Sequence, residues 1–495
     1  MIEAYTKEFG GSILEEKTTK KKWKSIGLPA ALLSIICLLI LVIVLIVTGG
    51  LNKEEGSVPA GADADNPEKT EQELMEEEKA RAEAELEAAK LEVIAKADRL
   101  AASYDYDAAV AYIQAYDGYA EDTRFTDKIA EYEATKASCV PVDLKEVTHI
   151  FYHSLVVDPE RAFANQDKNP QAVGNNQWMT TVSEFNKITQ EMYDRGYVLV
   201  SIHDLYEEVV NENGETEFVE GTIMLPPGKK AFVLSLDDLC YYHSYDGYGY
   251  ASKMVLDENG EPTCEYIQAD GTVVTGAYDV VPLMDAFVKE HPDASYRGAK
   301  GIIALTGYNG VLGYRTDVTY ANFSEDLSYV KQVWIKEHPD FDLEKERAEA
   351  KKVADAMKEN GWEFASHTWG HVAVGSASLE RIKTDTGKWK SYVEPLVGET
   401  DIIVFAHGED IGSWRGYSAD NEKFQYLKSE GFNYFCNVDS TQYFLQIRDN
   451  YVRMGRRNLD GYRLWNDVHK DANLLTDLFD ASEIIDPKRT DMPSW

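Results

Sequence analysis

Two short stretches of the sequence carry side chains that bind metals or move protons. In LSLDD, the apolar run AFVLSL ends in Asp237 and Asp238. In SHTWGH, His367 and His371 stand four residues apart. Residues at i and i+4 lie on one side of a helical turn, so the two imidazoles could share a metal ion. A catalytic zinc-type site takes three protein ligands and leaves a position for water, and one aspartate of LDD would complete the set.

Each stretch also has a simpler interpretation. His367 and His371 could be loop residues on either side of Trp369, because an isolated HxxxH occurs often by chance. Adjacent aspartates often begin a loop or cap a helix. However, two carboxylates that directly follow the mostly apolar run AFVLSL repel each other unless a cation lies nearby. One carboxylate would then bind the cation, and the other would be free to act as a general base.

The elements that position these residues alternate along the chain beyond Pro141. Short apolar runs (VTHIFY, YVLVSI, AFVLSL, GIIAL, WEFAS, DIIVFA, NYFCNV) are separated by amphipathic stretches, one of which begins with a capping box at Thr181 and Glu184. This pattern predicts an α/β fold with a parallel sheet closed as a (β/α) barrel. Turn signals at 259–260 and 270–271 predict an inserted pair of hairpins.

In such a barrel, chemistry gathers at the C-terminal tips of the strands. Three predicted strands end in functional side chains: AFVLSL in the two aspartates, WEFAS in the two histidines, and DIIVFA in AHGED, which contains His407. We therefore expect these groups to meet at one rim of the barrel.

LSLDD followed by SHTWGH resembles the first two motifs of the polysaccharide deacetylases, the NodB-like carbohydrate esterases, and FYHSL resembles a strand that opens many extracytoplasmic members. The resemblance covers residues 141–480. It implies a distorted seven-stranded barrel and hydrolysis of acetyl groups on sugars. It further implies that Asp237 is the base and that Asp238, His367 and His371 bind a divalent metal ion, with Zn²⁺ the first choice among first-row metals.

The chain departs from two further motifs of that family. FAHGEDIGSW lacks the arginine–proline motif whose arginine orients the base, and the C-terminal region lacks the leucine-flanked histidine that serves as acid. His407 or His243 could replace the acid, and we favour His407 because it ends a predicted strand at the same rim. We also expect Arg415 to reach the site and Trp369 and Arg457 to contact substrate. The alternatives are a surface role for Arg415 and, for Arg456 or Arg457, which could both bind a substrate carboxylate, an ion pair with an acidic side chain.

Composition limits the partners. The chain has 86 acidic and 50 basic residues, a net charge of −36, which argues against nucleic acid as a partner. The cysteines are widely spaced and form no CxxC pair, so we expect buried thiols or at most one disulfide.

The N-terminal part of the chain predicts a membrane anchor. Residues 26–48 contain no charged side chain and are preceded by a lysine-rich tail, residues 1–25. A linker (49–66), a helical stalk or hairpin (67–140) and the deacetylase-like domain (141–495) follow. We therefore expect a single-pass protein of a bacterial, Gram-positive cell membrane, with its C-terminal domain outside and a polysaccharide or peptidoglycan substrate. A catalytically inactive glycan-binding protein and a structural envelope protein are the alternatives.

Overall fold

The computed structural model describes residues 70–439 and 441–492. The chain divides into two units, Met1–Lys79 and Ala80–Trp495. Of the first unit, only residues 70–79 are described, at the start of helix α1. The helices are α1 Glu71–Ala102, α2 Tyr106–Gln114, α3 Thr123–Ser138, α4 Pro159–Ala162, α5 Pro170–Trp178, α6 Val182–Asp194, α7 Val280–Glu290, α8 Tyr329–Glu337, α9 Leu343–Glu359, α10 Leu379–Tyr392, α11 Glu394–Val397, α12 Glu422–Ser429, α13 Gly461–His469 and α14 Ala481–Ile484.

The strands form a closed barrel and three smaller sheets. They are β1 Val140–Pro141, β2 Thr148–Tyr152, β3 Tyr197–Leu199, β4 Tyr206–Val210, β5 Thr216–Glu220, β6 Met224–Leu225, β7 Lys230–Asp237, β8 Ala251–Leu256, β9 Pro262–Ile267, β10 Val273–Gly276, β11 Ile302–Leu305, β12 Glu363–Ser366, β13 Ile402–Val404, β14 Tyr434–Val438, β15 Leu445–Arg448 and β16 Tyr451–Asn458. Seven of them close a ring in the order β2–β7–β11–β12–β13–β14–β16 and back to β2, and every pairing in the ring is parallel.

The predicted (β/α) barrel is therefore confirmed, with seven strands in the ring. Strand β3 adds in parallel to the first residues of β7, and β15 pairs with β16 in antiparallel fashion. The strands are apolar because the barrel interior covers one face and the surrounding helices cover the other. Helix α6 illustrates the outer layer: its capping box at Thr181 and Glu184 forms as predicted, and it buries Phe185, Ile188 and Met192.

Strand β16 was not predicted from the sequence. Its sequence, YVRMGRRN, contains three arginines, yet all of its residues except the last are buried. The inserted hairpins are present as the antiparallel sheet β8–β9–β10. The cysteines of the described part of the chain, at positions 139, 240, 264 and 436, are buried free thiols.

The N-terminal helices contact the barrel near the segment that leads into β11. The Arg297 amide donates to the Ser103 carbonyl at 2.7 Å, and the Tyr104 hydroxyl donates to the Asp293 carbonyl at 2.8 Å. This segment precedes β11, so residues 103 and 104, which join α1 to α2, lie toward the N-terminal ends of the strands.

The predicted membrane anchor, residues 26–48, lies outside the described residues, as do the tail and linker beside it. Within the described residues, no helix has the length and apolar character needed to cross a bilayer. The predicted boundaries at 66/67 and 140/141 stay predictions.

Candidate active site

Asp237 ends β7 as a buried carboxylate held by an arginine. The Arg456 guanidinium donates through Nη1 to Asp237 Oδ1 at 2.6 Å and through Nη2 to Oδ2 at 3.0 Å. Arg456 lies on β16, is fully buried, and its guanidinium lies 4.2 Å from the centre of the Phe151 ring. Burial would raise the pKa of Asp237, but the charge of Arg456 outweighs it and holds the pKa below its usual range. Asp237 is therefore ionised at neutral pH.

Beside Asp237, three side chains form a group that could hold a metal ion. One ligand atom from each of Asp238, His367 and His371 lies within 4.8 Å of the others. His371 Nε2 is 3.6 Å from Asp238 Oδ2, and His367 Nε2 is 4.0 Å from Asp238 Oδ1 and 3.9 Å from Asp237 Oδ2. Asp238 and His367 are buried, and His371 is half-buried.

Main-chain contacts with two strands position this group. The amides of Asp238 and His367 donate to the carbonyls of Ala304 and Leu305, at 3.1 and 3.0 Å, so β11 fixes both residues without contributing a ligand. His367 Nδ1 lies 2.8 Å from the Val404 carbonyl on β13. Since a carbonyl only accepts, Nδ1 carries the proton and Nε2 keeps its lone pair for a metal.

A tyrosine orients the carboxylate of Asp238. The Tyr242 hydroxyl donates to Asp238 Oδ1 at 2.5 Å and also lies 2.5 Å from Thr306 Oγ1. The Tyr242 ring stacks on Tyr308, with ring centres 5.3 Å apart and an interplanar angle of 19°. Oδ2 of Asp238 therefore remains for a cation.

The backbone at the site adopts a conformation that side chains other than glycine disfavour. Asp238, Thr368, His371 and His407 have φ of 59°, 62°, 51° and 58°. Left-handed residues of this kind cost free energy and persist where surrounding contacts hold them, often at functional sites. Here the conformation turns the chain sharply after each strand, so that side chains from three strands converge.

The donor set fits a divalent metal. Two imidazole nitrogens and one carboxylate oxygen match the three-ligand sets of catalytic zinc sites, which leave a position for water. Burial lowers the pKa of His371 to about 4, so this imidazole is neutral at pH 7 and able to bind a metal. The pattern of donors does not distinguish zinc from other first-row divalent ions.

The chain has little detectable similarity to known proteins. No family model matches the chain, and no curated protein matches it. Among solved structures, the chain is similar to a Streptococcus pyogenes deacetylase, PplD, in complex with acetate, at 15% sequence identity, over 66% of this chain and 98% of that chain, with a TM-score of 0.32. At this TM-score and identity the likeness says nothing about the function of this chain, whose chemistry is read from the site residues themselves.

The structure brings together four of the predicted site residues, Asp237, Asp238, His367 and His371. His407 lies at the same rim: its ring centre is 4.2 Å from that of His371, and its Nε2 is 3.2 Å from the His371 carbonyl. Its side chain is exposed.

The three predicted substrate-binding residues lie in different settings. Trp369 is half-buried directly beside the histidines, with its amide bound to Asp385 at 2.6 Å. Arg415 is exposed, and its guanidinium lies 5.3 Å from the Trp414 ring. Arg457 is buried and paired with Asp477 at 2.9 Å. Its contacts match the ion-pair alternative.

The sequence did not predict the roles of two residues at the site. Arg456 was considered only as a binder of a substrate carboxylate or as the partner of a surface acid, because its strand was not predicted; in the structure it pairs with Asp237. His153 follows the tip of β2, in the quoted FYHSL, and it is half-buried. Its ring centre is 5.8 Å from that of Phe151, whose ring also faces the Arg456 guanidinium.

Proposed function

We propose that this protein is a metal-dependent hydrolase that removes acetyl groups from an acetylated polysaccharide. The observation that carries the proposal is the position of a buried, ionised Asp237 beside the three-ligand group, with His367 Nε2 at 3.9 Å from Asp237 Oδ2. An ionised carboxylate beside a Lewis acid is what hydrolysis of an unactivated acetyl group requires. The motif resemblance supports an acetylated sugar as the substrate.

In this proposal Asp238, His367 and His371 hold the divalent ion, which when bound supplies a Lewis acid for the acetyl carbonyl and the attacking water. Asp237 accepts the proton of the water. Arg456 holds both oxygens of Asp237, so the carboxylate presents a fixed orientation and stays ionised at neutral pH.

A proton must also reach the departing sugar nitrogen, and we propose His153 as its donor. His153 follows β2, the neighbour of β7 in the ring, and its ring is 5.8 Å from that of Phe151, on which the Asp237 partner Arg456 packs. His407, the donor expected from the sequence, contacts His371 instead. Loss of the donor should slow hydrolysis of amides far more than that of esters with a good leaving group, by a factor of ~10² or more.

The substrate class and location extend the proposal. The strongly acidic chain suits a neutral or cationic polymer such as one built of N-acetylated amino sugars, and it disfavours polyanions. We propose that residues 26–48 anchor the protein in the cell membrane with the barrel outside.

The test is acetate release from N-acetylglucosamine oligomers by the purified protein with added Zn²⁺. We expect release by the natural protein and its loss in Asp237→Asn, which should retain bound zinc because its ligands are unchanged. Zinc binding without acetate release from N- or O-acetylated glycans would favour the inactive glycan-binding protein. Absence of zinc binding would favour a structural role.

The proton donor is tested separately, with His153→Gln and His407→Gln as a matched pair. We expect His153→Gln to lose activity on the acetamide of the sugar while it retains hydrolysis of 4-nitrophenyl acetate. The reverse ranking of the two variants would assign the donor to His407.

A further inference from the structure

An exposed aromatic pair lies at the rim of the barrel near the candidate site. Trp178 is 43% exposed, and its ring centre is 6.0 Å from that of the partly buried Tyr462. The two residues come from separate helices, α5 and α13. Neither residue has a role in the proposed hydrolysis.

The chain path places both residues at the C-terminal rim. Helix α13 follows the end of β16, and the amide of Leu459 donates to the Phe151 carbonyl near the end of β2 at 3.1 Å. The hydroxyl of Thr180, two residues after Trp178, donates to the Leu459 carbonyl at 2.6 Å. Strand β2 leads directly into His153 and pairs with β7, which carries Asp237.

Helix α13 begins close to the end of β2. Asp460 caps the helix by accepting from the Arg463 amide at 2.8 Å. Tyr462 follows three residues after Leu459, whose amide contacts the Phe151 carbonyl, and Phe151 is two residues before His153.

The end of α5 that presents Trp178 is held by a buried polar network. Asn175 donates to the Ala162 carbonyl at 3.1 Å, and Asn176 donates to the Thr490 carbonyl at 3.0 Å. Arg489 donates to the carbonyls of Asn176 and Met179, both at 2.6 Å. Asn175 and Asn176 are therefore buried and held in place, whereas the Trp178 ring next to them is exposed to solvent.

An indole held in solvent on a fixed helix end offers a flat apolar face at little entropic cost to a ligand. Pyranose rings present a flat face of C–H groups that packs on such rings. We propose that Trp178 and Tyr462 bind a sugar ring of the polymer next to the acetylated one, so that the protein acts on chains in preference to single sugars. This inference rests on the proposed deacetylase function.

The test compares Trp178→Ala and Tyr462→Ala with Trp414→Ala. Trp414 is also exposed, at 72%, but its carbonyl accepts from Gln446 on β15, which pairs with the first residues of β16. We expect Trp178→Ala and Tyr462→Ala to lower kcat/KM about tenfold on the tetramer of N-acetylglucosamine and to leave the monomer unchanged, since stacking contributes about that factor. Trp414→Ala should match the natural protein, and Trp178→Phe should recover most of the loss.

Binding of the same tetramer to the Asp237→Asn protein, measured by calorimetry, separates the two proposals. Weaker binding when Trp178→Ala is added supports the aromatic subsite even if no acetate is ever released. Equal binding and equal kcat/KM in Trp178→Ala and Trp414→Ala overturn it, as does a natural protein that treats monomer and tetramer alike. Thermal unfolding of each variant shows whether its fold is intact.

Discussion

Arg456 offers a sharp test of the site because it is the partner of the proposed base. In Arg456→Met, Asp237 keeps its burial and loses both charge-assisted hydrogen bonds, of 2.6 and 3.0 Å. Removal of one member of a buried ion pair costs about 3–5 kcal/mol, because the remaining charge is left without compensation. Each 1.36 kcal/mol corresponds to one pKa unit.

The expected result is a change in pH dependence as well as in stability. If about 3 kcal/mol of charge stabilisation is lost, the acid limb of kcat/KM moves up by about two pH units, because Asp237 must be ionised to act as base. The sign for stability follows from the same pKa. In the natural protein, whose Asp237 pKa is depressed, the pair stabilises the fold above the unfolded-state pKa and this stability is lost as pH falls. Arg456→Met should therefore be most destabilised near neutral pH.

The assay is acetate release between pH 4 and 9, together with urea unfolding at both ends of that range. Arg457→Met is the matched control, since Arg457 is the next residue on the same strand and pairs with Asp477. It should lose stability without moving the acid limb. An unchanged acid limb in Arg456→Met, with activity retained, would refute the role assigned to the Arg456–Asp237 pair.

Three further predictions concern the metal site and a distant histidine. Tyr242→Phe removes the hydrogen bond to Asp238 and should weaken zinc binding by about 10-fold or more, measured by competition with a chelating dye; unchanged affinity would contradict the orienting role. Added Zn²⁺ should raise the melting temperature of the natural protein and a chelator should reverse this, whereas Asp238→Asn should show no response; an equal response in that variant would place the ion elsewhere. Burial lowers the pKa of His203, but hydrogen bonds with Asp401 and Glu363 outweigh it and raise the pKa to about 10. His203→Gln should therefore be less stable than the natural protein by about 1–2 kcal/mol at pH 6, allowing for the 40% exposure of the side chain, and the difference should vanish as pH rises from 6.5 through 10; a constant difference would contradict the charge argument.

Much of the barrel was predictable because its strands are apolar on both faces. AFVLSL, GIIAL and WEFAS each form the strand expected of them, since a strand covered by helices outside and by the barrel inside reads as a continuous apolar run. The same logic placed Asp237 and the histidines at one rim, because parallel strands all end on the same side.

Strand β16 was not predictable by that rule. Arg453 and Arg456 are buried through ion pairs with Asp410 and Asp237, which lie 43 and 219 residues away in sequence. From the local sequence alone, an arginine is expected at the surface. The burial of these two arginines depends on carboxylates that are distant in the sequence. Arg415, the arginine predicted to reach the site, is exposed, whereas Arg456 on β16 binds Asp237.

No side chain of β11 takes part in the proposed reaction, but its backbone positions two of the proposed metal ligands, Asp238 and His367. The carbonyls of Ala304 and Leu305 receive the amides of Asp238 and His367, and the Leu305 carbonyl also receives the indole of Trp389 at 2.8 Å. Conservative exchanges among the aliphatic side chains of β11 should thus be tolerated as long as its register holds. A shift of β11 by a single residue would instead displace both ligands together. A bulkier group packed against Trp389 would move the same carbonyl and inactivate the protein, although it would not contact the cleft.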